Sequence, residues 1–263
     1  MIDKISVNIR KNILKIANSS KGPHTGTALS CVDMLSVLYF KIMDIKSFDD
    51  ENRDIFILSK GHGAMALYAI LYEKGFLSKE EFFSYYQNGG ALPAHLDKDS
   101  SKAIEVSSGS LGHGLPQALG FAYSKKLKNL DSKVYVLMGD GETQEGSIWE
   151  AAMLAPKMEL DNLVVLIDRN NLQGYGRPSE LVSFEPIDEK FVSFGWDVYR
   201  IDGHNHKELE DTLKIPHAKP KLIVCDTIKG KGVSFMEDEM KWHYYIVTDE
   251  FMKDGIKELE SSL

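Results

Sequence analysis

Val134-Tyr135-Val136-Leu137-Met138 is apolar at every position and runs straight into Gly139-Asp140-Gly141. A second run, Leu163-Val164-Val165-Leu166-Ile167, ends in Asp168-Arg169-Asn170-Asn171. A strand with one wet face alternates apolar and polar residues, so a strand without alternation must be covered on both faces. Two such strands, each followed by a helical or polar segment, point to a parallel sheet held between layers of helices. In sheets of this kind ligands bind beyond the carboxyl ends of the strands. Polar residues placed there cost desolvation free energy unless something uses them.

The remaining pattern fits the same architecture. Strands are expected at 54–58, feeding Ser59-Lys60-Gly61-His62-Gly63, and at 196–201 and 221–225. Ile2, Ile5, Ile9, Ile13, Ile16 and Ala17 recur at helical spacing, on a helix expected to pack against the domain rather than a membrane surface. Further helices are expected over 30–43, 64–72, 145–158 (ended or kinked by Pro156) and 207–213, and 253–263 reads as a terminal helix. The expected fold is α/β, a three-layer parallel sheet sandwich. With no repeat or linker-like tract, residues 1–263 read as one domain. The balance of 31 basic and 39 acidic residues, net -8, argues against a general nucleic-acid surface. No apolar run approaches the roughly 20 residues needed to cross a bilayer, and the amphipathic N-terminus lacks a signal-peptide core. The expectation is a cytoplasmic protein with no membrane or nucleic-acid partner, its two cysteines, Cys31 and Cys225, being free core thiols.

The strand ends carry the chemistry. Glycines on both sides of Asp140 permit a tight turn and close approach of a ligand to backbone N–H groups. The Asp140 carboxylate and the Asn170 amide oxygen are hard ligands suited to Mg²⁺ or Ca²⁺, and phosphates commonly complete a Mg²⁺ shell. Gly139-Asp140-Gly141 alone fits a plain turn as well; its pairing with a second polar strand end is what points to a metal diphosphate. Gly109, Gly112 and Gly114 have offsets of three and two, not the two and three of the dinucleotide fingerprint, and no GxxxxGK[ST] occurs. Lys229-Gly230-Lys231-Gly232 suits either a phosphate contact or an exposed turn. Of eight histidines, His24, His62, His95 and His113 lie in loops bounded by glycine or proline, where imidazoles could exchange protons near pH 7. There is no HExxH, so structural zinc is not expected. His204, His206 and His217 surround a polar helix and are expected on a solvated face.

Together these segments resemble the transketolase family of thiamine-diphosphate enzymes. Gly139-Asp140-Gly141, a gap of 28 residues and Asn170-Asn171 form the thiamine-diphosphate motif. KGPHTGTALSCVDMLSVLYF around His24, ILSKGHGAMALYAIL around His62, LPAHLD around His95, EVSSGSLGHGLPQALGFA, MGDGETQEGSIWEAA and TIKGKGVSF extend the likeness over nearly the whole chain. The resemblance implies a thiamine-diphosphate-binding fold, its diphosphate-side domain. It implies thiamine diphosphate with Mg²⁺ or Ca²⁺ held by Asp140, Asn170 and the Leu172 carbonyl. Gly139, Gly141, Glu142 and His62 would lie along the diphosphate, and Gly109, Ser110 and Leu111 against the cofactor rings. His24, His62, His95 and His243 would line the substrate channel, His243 also meeting the cofactor. Glu145 would join an acidic network between paired sites.

The implied activity moves a two-carbon ketol unit from a ketose phosphate to an aldose. A partner, a C-terminal transketolase subunit, would carry the pyrimidine-binding domain and the activating glutamate, so the chain reads as the N-terminal subunit of a split enzyme, assembled as a heterotetramer. Departures lie at the pocket edge: Gly22-Pro23-His24-Thr25-Gly26 for the usual Gly-His-Pro-Gly, Pro93-Ala94-His95 for Gly-His-Pro, and Tyr244 after His243 where glycine is usual. They bear on the sugar more than on the cofactor. Alternatives are a split transketolase for a sulfonated or branched ketose phosphate, the alpha subunit of a 2-oxo-acid dehydrogenase, and a non-enzymatic metabolite-binding module.

Overall fold

The computed structural model describes residues 2–183 and 185–261. Its centre is a sheet of five strands: β1 (Ile55–Leu58), β2 (Val134–Gly139), β3 (Leu163–Arg169), β4 (Asp197–Asp202) and β5 (Lys221–Asp226). All neighbours are parallel, in the spatial order β1-β2-β3-β5-β4. The register sets Asp168 beside Gly139 on one side and Cys225 on the other, so three strands end at one level.

The helices are α1 (Ile2–Ser20), α2 (Thr25–Ser30), α3 (Val32–Val37), α4 (Ala64–Glu73), α5 (Lys79–Phe83), α6 (Gly114–Leu127), α7 (Gly146–Lys157), α8 (Pro178–Leu181), α9 (Ile187–Phe194), α10 (His206–Lys214) and α11 (Asp249–Ser261). Successive strand residues alternate between two cores, because side chains of a strand point to opposite faces. Phe56, Leu58, Tyr135, Leu137, Val164, Leu166 and Ile223 meet a layer that includes α1, α3, α4 and α10. Ile57, Val136, Met138, Val165, Ile167, Leu222 and Val224 meet α6, α7 and α9. The apolar stripe of α1 is buried as its spacing requires, with Ile9, Ile13, Ile16 and Ala17 fully covered. Each such isoleucine contributes about 1.5–3 kcal/mol of burial.

Four expectations need correction. The helix expected over 30–43 is broken at Cys31 (φ -94°, ψ 4°) and closes in a π-helical turn, Leu38–Ile42. The Ser30 hydroxyl is diverted to Thr27 O and Asp168, which ties the break to the strand ends below. Secondly, His204 and His206 do not lie on a solvated face. Their rings bond the buried Asp33 carboxylate at 2.8 and 3.0 Å, beside the bidentate Arg10 guanidinium. Thirdly, β4 starts at Asp197 rather than Trp196, whose indole is buried and donates to Ala152 O. Lastly, the final helix begins earlier than expected, at Asp249; Ser262 and Leu263 lie outside the described residues. Cys31 and Cys225 are buried free thiols. Among the described residues no helix is long and apolar enough to cross a membrane.

Candidate active site

β2 delivers Asp140 to the sheet end, where it caps a short 3-10 turn, Gly141–Gln144. Its Oδ1 accepts the Gly141 N–H at 2.7 Å and its Oδ2 accepts the Asn171 N–H at 2.6 Å. Asn171 sits in the left-handed region (φ 56°), which turns the chain back after β3. The Asn170 Nδ2 donates to Asp168 Oδ2 at 3.2 Å, and its Oδ1 accepts the Leu172 N–H at 3.1 Å. Asp140 is 3% exposed; burial, then the Asp168 charge, pushes its carboxyl up to about 6. Burial also raises Asp168, but Lys60, Ser30 and Thr227 outweigh it and hold that carboxyl below its ordinary value.

The imidazoles cluster at the same cleft. The His24 ring lies 5.4 Å from His62, 5.8 Å from His95 and 5.0 Å from His243, centroid to centroid. His24 reaches this place in a left-handed conformation (φ 73°) at the start of α2, where its side chain makes no capping hydrogen bond. Burial, with the neighbouring His95, lowers His24 to about 4; burial, with Lys229, lowers His243 to about 3. Burial and Lys60 hold His62 well below the usual range. These three rings are therefore neutral at pH 7, each able to donate from one nitrogen and accept at the other.

Together these residues line a cleft of about 350 Å³. Asp140, Gly141, Asn170 and Leu172 line it, as do His24, His62, His95 and His243, with Gly109, Leu111, Gly139 and Glu142 also at its surface. Gly109 (φ 152°) lies against the His95 ring, where a Cβ would come within 3.1 Å, so both conformation and contact call for glycine. Ser110, Glu145 and His113 are not among the lining residues; Glu145 is exposed at the start of α7 and His113 at the start of α6. Glu142 is spoken for within the protein: it accepts from Ser59 Oγ and from the N–H groups of Gly112 (3.0 Å) and Gly139 (3.1 Å). The Gly141 N–H is likewise engaged by Asp140.

Sequence reasoning missed Lys60, Thr27, Gln173, Tyr175 and the depth of Lys229. Lys60 is fully buried and binds Asp168 and Thr27 O (3.1 Å). Lys229, open to either a pocket or a surface reading from sequence, is 1% exposed and lines the cleft. Its Nζ meets Leu172 O at 2.8 Å and His243 Nδ1 at 2.9 Å, and burial lowers it to about 8. The available signal for Lys60 was a lysine placed directly after an apolar strand.

The donor set fits a cation bound together with phosphate. Among the described residues no group of three His, Cys, Asp or Glu side chains surrounds a metal-sized space. Asp140, Asn170 and Leu172 border the cleft instead, offering a carboxylate, an amide oxygen and a carbonyl that also accepts from Lys229 Nζ, a partial oxygen set of the kind Mg²⁺ completes with phosphate oxygens. His24 Nδ1 and Gln173 Nε2 are buried without a protein partner, both facing groups of this cleft. Such groups are costly unless a ligand engages them.

Sheet and cleft define a class: an open α/β domain whose strand ends form a pocket lined by oxygen-bearing groups and imidazoles. The chain belongs to the transketolase family, and the family model described as transketolase, thiamine diphosphate binding domain, matches residues 2–259. An apulose-4-phosphate transketolase subunit from Actinobacillus succinogenes is 38% identical, over 98% of this chain and 96% of its own length. The 6-deoxy-6-sulfo-D-fructose transketolase subunit SqwG of a Clostridium species is 39% identical, over 96% of this chain and 94% of its own. Among solved structures, transketolase from Campylobacter jejuni superposes with a TM-score of 0.89 at 30% identity, covering 98% of this chain. This chain spans 42% of that one.

Proposed function

We propose that the chain is the diphosphate-binding subunit of a two-subunit transketolase, which moves a two-carbon ketol unit from a ketose phosphate, or its sulfonated counterpart, to an acceptor. The observation that carries this reading is the convergence of Asp140, Asn170 and Leu172 with His24, His62, His95 and His243 around one cleft. The coverage supports a subunit: relatives named as subunits match at nearly full length. The partner, a C-terminal transketolase subunit, supplies the pyrimidine-binding domain and the activating glutamate, in a heterotetramer of two heterodimers. Exposed Tyr123 and Leu127 on α6 and Met153 and Leu154 on α7 offer it an apolar face. The alternative of an unusual sugar is preferred over an ordinary pentulose phosphate, because these relatives are named for apulose 4-phosphate and 6-deoxy-6-sulfo-D-fructose. Tyr244, where glycine is usual, lies 5.6 Å from the His24 ring and reshapes the same edge of the cleft.

In this reading Asp140, Asn170 and the Leu172 carbonyl would hold Mg²⁺ (or Ca²⁺), whose charge would offset that of the diphosphate. Thiamine diphosphate, when bound, supplies the nucleophilic carbon and electron sink that carbon–carbon cleavage requires. Lys229 adds positive charge beside the anion. Gly109 and Leu111 bound the space for the cofactor rings, and Ser110, exposed between them in sequence, is assigned to the same edge. The neutral His24 and His62 rings accept and donate hydrogen bonds to sugar hydroxyls and move protons at those oxygens. His95 and His243 complete the channel, and Glu145, outside the cleft, faces a paired subunit. The test is reconstitution with the companion subunit, Mg²⁺ and thiamine diphosphate, screening linear, branched and sulfonated ketoses for release of the shortened sugar. Turnover with a branched or sulfonated donor above that with a linear pentulose phosphate is expected; turnover by this chain alone would overturn the subunit reading.

A further inference from the structure

Asp168 does not itself line the cleft, yet it is fully buried and its carboxylate accepts four side-chain hydrogen bonds. Its Oδ2 accepts from Ser30 Oγ at 2.6 Å, from Lys60 Nζ and from Asn170 Nδ2 at 3.2 Å. Its Oδ1 accepts from Thr227 Oγ1, and its backbone carbonyl accepts the Asp140 N–H at 3.3 Å. One side chain thus joins α2, the turn after β1, the end of β3 and the segment after β5.

We propose that Asp168 is the positioning residue of this site, orienting the Asn170 carboxamide and seating the Thr227–Lys229 segment against the cleft. The orientation follows from hydrogen-bond logic. The Asn170 NH₂ donates to Asp168 Oδ2, so Oδ1 is left on the opposite side. That oxygen meets the Leu172 N–H and borders the cleft, keeping a lone pair for a cation. The second arm runs along the chain. Thr227 is drawn to Asp168 by its hydroxyl and to Arg169 O by its N–H at 3.0 Å. Two residues on, Lys229 then reaches Leu172 O and His243. Further along, the Gly230 N–H reaches Gly26 O at 2.9 Å, so α2 and the Lys229 segment are also tied directly. Lys60 balances the buried charge that makes this arrangement tolerable.

The inference rests on the metal-diphosphate reading of the cleft, and the experiment separates the two. Thr227→Val removes the hydroxyl at nearly constant shape, and Thr227→Ser restores it. The double variant Lys60→Met/Asp168→Leu removes the carboxylate without stranding a buried lysine. Hydrogen exchange of residues 227–232 and 170–173 in the full chain, without ligand, is read by mass spectrometry. Faster exchange is expected at 227–232 in Thr227→Val, and in both segments in the double variant, with Thr227→Ser like wild type. Calorimetry with Mg²⁺ and thiamine diphosphate then reads the consequence. Thr227→Val should weaken thiamine diphosphate about tenfold at saturating Mg²⁺, and the double variant should raise the Mg²⁺ requirement roughly 10–100-fold, the usual effect of losing a group that orients a ligand. Unchanged exchange in both variants, or Thr227→Ser as impaired as Thr227→Val, overturns the positioning role. Failure of the wild-type chain and its reconstituted complex to bind Mg²⁺ and thiamine diphosphate overturns the cofactor reading instead, while the exchange result still decides the positioning.

Discussion

Replacing Glu142 by glutamine tests whether this carboxylate works on the protein rather than on a ligand. Oε1 accepts from Ser59 Oγ and the Gly112 N–H, and Oε2 from the Gly139 N–H, so one buried group fixes three segments that meet at the cleft. A glutamine can keep Oε1 in place, but its NH₂ then faces the Gly139 N–H. One charge-assisted bond is lost and a buried donor is left without an acceptor. Hydrogen bonds to charged groups contribute about 1.5–3 kcal/mol each. Burial outweighs the three donors and raises the Glu142 carboxyl above its ordinary value, so the lower part of that range applies. We expect Glu142→Gln to cost about 2 kcal/mol and Glu142→Ala, which strands three donors, about 4 kcal/mol, less than the sum because the bonds share one acceptor group. Thermal unfolding of the purified protein should show Tm falling by roughly 4–8 °C and 8–16 °C respectively, at about 2–4 °C per kcal/mol for a chain of this size. A glutamine variant as stable as wild type would refute the reasoning, since it would mean the Gly139 N–H loses nothing when its acceptor becomes a donor.

Asp140→Asn should weaken metal-dependent binding of thiamine diphosphate by removing the only carboxylate expected to ligate the cation; unchanged affinity and metal dependence would remove Asp140 from the site. Alanine at His24 or His62 should depress turnover of the reconstituted enzyme by at least about tenfold, in keeping with general acid–base groups, whereas His217→Ala, away from the cleft, should leave it within about twofold; equal losses would contradict the placement of the proton-handling groups. His206→Asn should be most destabilising in acid. The hydrogen bond to Asp33 raises the His206 imidazole above 6.5, so its contribution is fully present below that value and is lost as pH rises through the folded-state value. Urea melts at pH 6 and pH 9 should therefore show the larger wild-type advantage at pH 6; the reverse order would mean Asp33 does not hold a charged ring.

The sheet was legible because continuous apolar runs leave little choice of environment: β2, β3 and β5 fall close to where those runs place them. The pocket was legible in its glycine-bounded histidines and its two polar strand ends, since those residues serve local backbone needs poorly. What escaped was long-range. Nothing near His204 or His206 announces Asp33, which is supplied by α3 from the other end of the chain. Lys60 draws no separate reading until Asp168 is placed beside it, and Lys229 could be assigned inside only once β5 was known to end next to β3. The break at Cys31 was invisible because the contact beside it, a hydrogen bond from Ser30 to Asp168, spans 138 residues. Hydrophobic periodicity reports which face a residue shows, not which distant polar group it will meet.

The strand order has a consequence for biosynthesis. β5 is made last, yet it lies inside the sheet, between β3 and β4. Until Lys221–Asp226 has been made, β4 has no partner and one side of β3 is bare, although both strands are rich in groups that pair readily with other chains. Closing a sheet by inserting a strand across such separations is slow and leaves the growing polypeptide open to aggregation. Chains released at residue 215 should therefore be protease-sensitive and sediment with aggregates, while chains released after residue 235 should become resistant as β5 slots in. If the shorter chains were already resistant, the first three strands with their helices would constitute an independent folding unit, and the late strand would be an addition to a finished core rather than its keystone.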